Sequence, residues 1–264
     1  MHDFDYLRAK SVGEAVDAIA AAEDARYLAG GLTLIPTLRQ RLARPSLLVD
    51  IAGIEELRVL RVTGSSLSVG AMTTHAAVED SAEVRQALPA LATLAAQIGD
   101  PQVRNRGSLG GSIANNDPAA DYPAAALGLG ATIVTDRRRI AADAFFVGMF
   151  ETLLEHGELV LAVEFPIAER IGYAKLRQQA SRYALVGVLV ARLPAGVRVA
   201  VTGAGPCVFR HSAMEQALEE KFAPESLDHV VTGEGALFSD MHGSASYRAE
   251  MTRLLAQRAV VAAM

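Results

Sequence analysis

Two glycine-rich stretches hold the residue types best suited to chemistry. The first is Ala29-Gly30-Gly31-Leu32-Thr33, which follows the short apolar run Tyr27-Leu28-Ala29 and leads into a helical pattern starting at Leu34. Adjacent glycines let a backbone adopt φ > 0, approach an anion closely and aim several N–H groups at it. A helix beginning just afterwards adds partial positive charge at its N-terminus. The second stretch is Arg106-Gly107-Ser108-Leu109-Gly110-Gly111-Ser112-Ile113-Ala114-Asn115-Asn116-Asp117-Pro118. Read as a loop, it is costly in backbone entropy and poor at burying apolar surface, so ligand contact explains it better than packing. Either stretch alone could be a plain turn, because glycine pairs are common in turns. Two of them in separate regions point to a ligand with two phosphates lying between those regions. Neither stretch continues into Gly-Lys-Ser/Thr, and neither contains Gly-x-Gly-x-x-Gly, so the P-loop and the dinucleotide fingerprint are absent.

Other reactive side chains fit weaker patterns. Asp117 reads as a cap on the turn before Pro118, and Asp121 as an acceptor for a sugar or ribityl hydroxyl; a carboxylate pair for metal or acid–base work is the alternative. The histidines at 2, 75, 156, 211, 229 and 242 never fall at i, i+3 or i, i+4, which disfavours a helical metal site and leaves surface or capping roles. Ser108 and Ser112 lack the nucleophile-elbow context of a hydrolase. Arg137-Arg138-Arg139 reads as a solvated hairpin turn. Lys175 and Arg177 precede Tyr183; they are either cations that would stabilise an anionic reduced ring or the charges of an ordinary surface strand.

The elements that must position these residues fall into three regions. The first fifty residues read as a βαβ unit. Ser11 and Glu14 have capping-box spacing, and Val12, Ala15, Val16, Ile19 and Ala20 make one apolar face. Leu34, Ile35, Leu38 and Leu42 form a second helix with Pro36 in its first turn, and Ser46–Ile51 returns as a strand. In the middle region, Leu57–Val62 and Leu67–Ala71 suggest a hairpin. A helix runs from Val84 to Ile98 with Pro89 bending or restarting it. Strands follow at Ala131–Thr135 and Leu159–Phe165, with a helix near Phe145–Glu155. In the last region, Tyr173–Arg177, Leu185–Ala191 and Arg198–Thr202 read as antiparallel strands, and helices are expected at Ser212–Lys221, Ser226–Val231 and Ser246–Val261.

Composition bounds the function. The chain has 264 residues, 51% hydrophobic and 21% charged, enough for a packed core and far from the composition of a disordered chain. Lys and Arg total 25 against 30 Asp and Glu, a net charge of −5, which argues against nucleic-acid binding. Cys207 is the only cysteine, so the chain can supply neither a disulfide nor the ligands of an iron–sulfur cluster. The acidic start Met1-His2-Asp3-Phe4-Asp5 is unlike a signal peptide, and no uncharged run reaches the roughly 18 residues a transmembrane helix needs. A cytoplasmic location is the expectation.

Taken together, Tyr27–Thr33 and Arg104–Pro123 resemble the FAD-binding medium subunit of the molybdenum hydroxylases, the group of carbon-monoxide dehydrogenase and xanthine dehydrogenase. Similar stretches run through nearly the whole chain: Val69–Thr74, Phe145–Phe150, Lys175–Arg177, Ala180–Gly187 and Ser244–Arg248 through Arg258-Ala259. The resemblance implies an α+β fold in three parts. These are an N-terminal α/β piece (1–55), a central α+β piece (56–169), and a C-terminal three-stranded antiparallel sheet with a helical bundle (170–264). It implies non-covalent FAD extended between the first two. Ala29, Gly30, Gly31, Leu32 and Thr33 would wrap the pyrophosphate, joined by Ser108, Gly110, Gly111 and Ser112 from the other side, with Tyr27, Leu28, Leu34 and Leu109 also in the cofactor-binding set. Asp121 would take a flavin-side hydroxyl, with Val160 and Lys175 near the isoalloxazine and Arg177 as the alternative to Lys175. Leu32 stands where a polar residue is frequent in the family and Ser108 where threonine is frequent.

The resemblance further implies an oxidoreductase subunit with no catalytic residues of its own. A large molybdenum–pterin subunit and a small subunit with two [2Fe–2S] clusters would be its partners, in a dimer of heterotrimers, with FAD passing electrons to an external acceptor. The competing readings are a self-contained flavin oxidase of the same FAD-binding fold and a non-catalytic nucleotide-binding module. The first is weakened because Ala29–Leu34 has no histidine or cysteine for covalent attachment; the second is weakened by the intact glycines.

Overall fold

The computed structural model describes residues 1–264. Three sheets of three to five strands and one two-stranded hairpin organise the chain, and the N-terminal sheet is the expected βαβ arrangement. Its elements are β1 (Asp5–Arg8), α1 (Val12–Ala21), β2 (Ala25–Leu28), α2 (Leu34–Arg39) and β3 (Leu47–Asp50). β3 lies in the centre and pairs in parallel with both β1 and β2. Ser11 caps α1 by accepting from the Glu14 N–H, and the Glu14 carboxylate accepts from the Lys10 N–H. The apolar stripe buries Ala15 and Ile19.

The central unit is a five-stranded antiparallel sheet with helices packed against it. It begins with the hairpin β4 (Leu60–Thr63) and β5 (Ser66–Gly70). Short helices follow: α3 (His75–Asp80), α4 (Ala82–Ala87), α5 (Pro89–Ala96), α6 (Pro101–Arg106), α7 (Leu109–Asn115) and α8 (Tyr122–Leu129). Pro89 restarts the helix, sitting at the first position of α5 where its missing N–H costs nothing. Next come β6 (Thr132–Thr135), β7 (Arg139–Ala141), α9 (Ala142–Phe145), the hairpin β8 (Phe146–Gly148) and β9 (Glu151–Thr152), and β10 (Val160–Pro166). The sheet order is β4-β5-β10-β6-β7. Every residue of α8 is buried.

Two expectations fail in this unit. The second glycine stretch is a helix rather than a loop: Ser108 caps α7, accepting from the Gly111 N–H at 3.2 Å. Its glycines answer a packing demand, since a Cβ on Gly110 would come within 2.5 Å of the Ala71 Cβ. The helix expected near Phe145–Glu155 ends at Phe145. The apolar residues beyond it form a β-turn tip instead, in which Val147, Met149 and Phe150 are exposed and Phe150 is left-handed at φ 56°. Asn116 holds that tip: its carbonyl accepts from the Phe150 N–H, and its Nδ2 donates to the carbonyls of Gly148 and Glu151, each at 2.8 Å.

The C-terminal unit has β11 (Arg170–Arg177), β12 (Ala184–Leu193), β13 (Gly196–Thr202) and β14 (Phe209–Arg210) in that order, all antiparallel. The first three match the expected strands, and the two-residue β14 is an unforeseen edge. Helices α10 (Ser212–Glu220) and α11 (Ala245–Ala262) are present. The helix expected at Ser226–Val231 is instead a 3₁₀ turn, Pro224–Leu227. No helix of the chain is long and apolar enough to cross a membrane.

Candidate functional site

A cavity of about 760 Å³ lies between the N-terminal and central units, within the size range of ligand sites. Its first wall is the turn between β2 and α2. Gly31 is left-handed there, at φ 77°. None of the backbone N–H groups from Ala29 to Leu34 has a protein acceptor. Ala29, Gly30, Gly31, Leu32, Thr33 and Leu34 all line the cavity. A run of unpartnered donors at the start of a helix is a site for an anion, because ordinary protein structures satisfy such groups. Leu32 is 41% exposed at this wall and adds no side-chain donor.

The second wall is the first turn of α7. It lies directly against the first: a Cβ on Gly30 would come within 2.2 Å of the Arg106 carbonyl oxygen. Ser108, Gly110, Gly111 and Ser112 line the cavity, and Leu109 is turned into the core. The N–H groups of this turn are already used. Leu109 donates to the Thr73 carbonyl, Gly110 to the Ala71 carbonyl, Gly111 to Ser108 Oγ and Ser112 to the Ser108 carbonyl. Gly111 faces the first wall, and a Cβ on it would stand 3.9 Å from the Ala29 Cβ. The free anion donors therefore come from the first glycine turn, while α7 supplies the Ser108 and Ser112 hydroxyls and a bare surface at Gly111.

Further along, Val160 and Asp121 line the cavity. Lys175 does not line it. Its ammonium lies 2.8 Å from Asp121 Oδ2, with the lysine side chain 1% and the aspartate 5% exposed. Tyr173 donates its hydroxyl to Asp121 Oδ1. Burial pushes the Asp121 carboxyl upward, and Lys175 and Tyr173 pull it back part of the way. Tyr27 lines the cavity and donates to the Gly157 carbonyl at 3.0 Å; burial pushes its phenol up to about 12. Leu28 lies outside the lining, its carbonyl accepting from the Ile51 N–H within the sheet.

Several lining residues were not anticipated. His75 is buried, its ring centroid 5.3 Å from that of Tyr122, and burial lowers its pKa to about 4. Its position after the α3 cap Thr74 is visible in the sequence, but its burial is not. Gly99, Asp100 and Ala180–Arg182 also line the cavity, as does Tyr183, which the sequence places after Lys175 and Arg177. Tyr183 is half exposed there. Asp117 caps its turn as expected, accepting from the Ala119 N–H at 2.9 Å. Arg137, Arg138 and Arg139 pair with Glu155, Glu158 and Glu164 at the β6–β7 turn. His211 caps α10. Cys207 stands alone, its sulfur 3.6 Å from Asn116 Nδ2.

Residues 2–168 match the family described as the FAD binding domain in molybdopterin dehydrogenase. The chain is 36% identical to the carbon monoxide dehydrogenase medium chain of Hydrogenophaga pseudoflava, across 98% of this chain and 96% of that one. It is 34% identical to the nicotine 6-hydroxylase medium subunit of Paenarthrobacter nicotinovorans, with the same coverage. Among solved structures, reconstituted CO dehydrogenase from Oligotropha carboxidovorans superposes with a TM-score of 0.92 at 33% identity, covering 99% of this chain and 98% of that one. With the glycine turn, the cavity and these matches in agreement, the chain belongs to the family of FAD-binding domains of molybdopterin dehydrogenases.

Proposed function

We propose that the protein is the FAD-binding electron-transfer subunit of a heteromeric molybdenum-containing dehydrogenase. The observation that carries this reading is the row of six unpartnered N–H groups from Ala29 to Leu34 on the wall of a large cavity. Those donors suit a pyrophosphate, whose negative oxygens would satisfy them without a lysine. Ser108 and Ser112 offer hydroxyls from the facing wall, and Gly111 leaves room for the ligand to pass. Asp121 would accept a hydroxyl on the flavin side, with Val160 against the ring. Bound FAD supplies acceptance of electrons from iron–sulfur clusters and their release to an external acceptor; the chain's own residues bind it, orient it and shield it.

With Cys207 its only cysteine, the chain cannot ligate a [2Fe–2S] cluster by itself; the family reading assigns such clusters to a small partner subunit and the molybdenum–pterin to a large one, in a dimer of heterotrimers. A division into three parts at 1–55, 56–169 and 170–264 is supported by one main sheet falling within each range, the last part read as three principal strands with a helical bundle. A cytoplasmic location suits the lone thiol. The reading is tested by titrating the chain with FAD and with adenosine diphosphate. Both should bind, FAD more tightly; failure of FAD to bind would overturn it.

A further inference from the structure

The family match ends at residue 168, yet the Asp121 carboxylate is held by two residues beyond it. Tyr173 and Lys175 are two apart on β11, so both point to the same face of the C-terminal sheet. We propose that Tyr173 and Lys175 are positioning residues for the flavin-side half of the cofactor: they fix Asp121 so that its remaining lone pairs accept a hydroxyl from a ligand in the cavity. This rests on the FAD reading. It also changes the role of Lys175, which acts through Asp121 instead of meeting the isoalloxazine.

Four observations support it. A carboxylate can accept about four hydrogen bonds, and the chain donates one to each Asp121 oxygen, leaving capacity on the side that lines the cavity. A buried ion pair is seldom needed for stability, because apolar residues of similar volume do as well; its place beside a ligand cavity gives it another purpose. The strand opposite makes room for it. Gly187 pairs with Lys175 across the β11–β12 ladder, and a Cβ there would stand 2.5 Å from the Tyr173 hydroxyl. Finally, the C-terminal sheet also fixes the backbone leading to Asp121. The Thr202 hydroxyl lies 3.0 and 2.7 Å from the carbonyl oxygens of Pro118 and Ala120 and shares its one proton between them, and the Gly203 N–H donates to the Pro118 carbonyl at 2.8 Å. One sheet therefore sets both the path of the chain and the rotamer of the carboxylate.

The test titrates full-length wild type, Tyr173→Phe and Gly187→Ala with FAD, riboflavin and adenosine diphosphate. Loss of one hydrogen bond to a charged group should weaken FAD and riboflavin about tenfold each in both variants while leaving adenosine diphosphate within about twofold of wild type. A purely structural role would weaken all three ligands together, and that result, or unchanged flavin affinity, overturns the proposal. If either single variant does not fold, the neutral double variant Asp121→Asn/Lys175→Met removes the buried charges together and should show the same split. Wild type that binds no flavin would overturn the FAD reading; wild type that binds FAD beside a variant that binds it equally well would overturn only this assignment.

Discussion

Gly30 lies flat against the backbone of Arg106, so the two glycine-rich stretches, 76 positions apart, meet without any side chain between them. A Cβ at Gly30 would have to push one wall of the cavity off the other. Gly30→Ala should therefore cost about 1–3 kcal/mol of stability, the usual penalty for overpacking a tight contact, and should weaken FAD binding at the same time. Denaturant unfolding and flavin titration of the same preparation check both effects. Unchanged stability would mean that the walls do not touch in solution.

The neighbouring glycines of α7 should separate from each other. Gly110 is buried against Ala71, and its N–H is bonded to the Ala71 carbonyl. Gly110→Val should destabilise the fold by about 3 kcal/mol or more, because both backbone and side chain of Ala71 stand in the way. Gly111 faces the cavity, and its nearest obstacle is the Ser108 hydroxyl at 3.0 Å. Gly111→Ala should cost no more than about 1 kcal/mol, the scale of a weakened cap. Thermal melts of the two variants without ligand decide it.

His75 makes stability depend on pH. Its folded pKa is about 4 against an ordinary 6.5, because burial penalises the imidazolium and Arg104 adds repulsion. Above pH 6.5 both states are neutral and the full stability is present. As pH falls from 6.5 towards 4, the unfolded chain takes up a proton that the folded chain refuses. Stability should drop by about 3 kcal/mol over that window from this group alone. His75→Gln should flatten that part of the profile, measured as unfolding free energy against pH.

Asn116 should govern the exposed tip at Phe150. It is left-handed at φ 43°, and three hydrogen bonds tie it to the tip. Asn116→Ala loses both side-chain donations and strains the backbone, a cost of about 2–4 kcal/mol. Hydrogen exchange should rise at Phe146–Thr152. Protection equal to wild type would place the anchor elsewhere.

The parts legible in sequence were those with local causes. The βαβ unit could be read from a capping box and an apolar stripe, and the first glycine turn from its residue types alone. The errors arose where long-range packing decided. Gly107, Gly110 and Gly111 suggested a loop, but Gly110 is small so that a helix can lie against Ala71, a residue 39 positions away. A helix is expected near Phe145–Glu155, but Val147, Met149 and Phe150 are exposed at a turn, and the distant Asn116 holds the segment there. Asp121, singled out by its type and context, does line the cavity. Its partner Tyr173 could not be singled out, since nothing near residue 121 announces a tyrosine from another sheet. Lys175, which the resemblance put near the isoalloxazine, pairs with Asp121 outside the cavity lining, a contact that spacing along a strand does not reveal.

The most direct measurement of the central claim is the visible absorption spectrum of the purified chain after reconstitution with FAD, followed by acid precipitation. The account predicts a yellow protein whose chromophore passes entirely into the acid supernatant as FAD without proteolysis. A colourless protein after reconstitution would contradict the flavin site built on Ala29–Leu34. A flavin retained in the precipitate would contradict non-covalent binding and favour the self-contained oxidase.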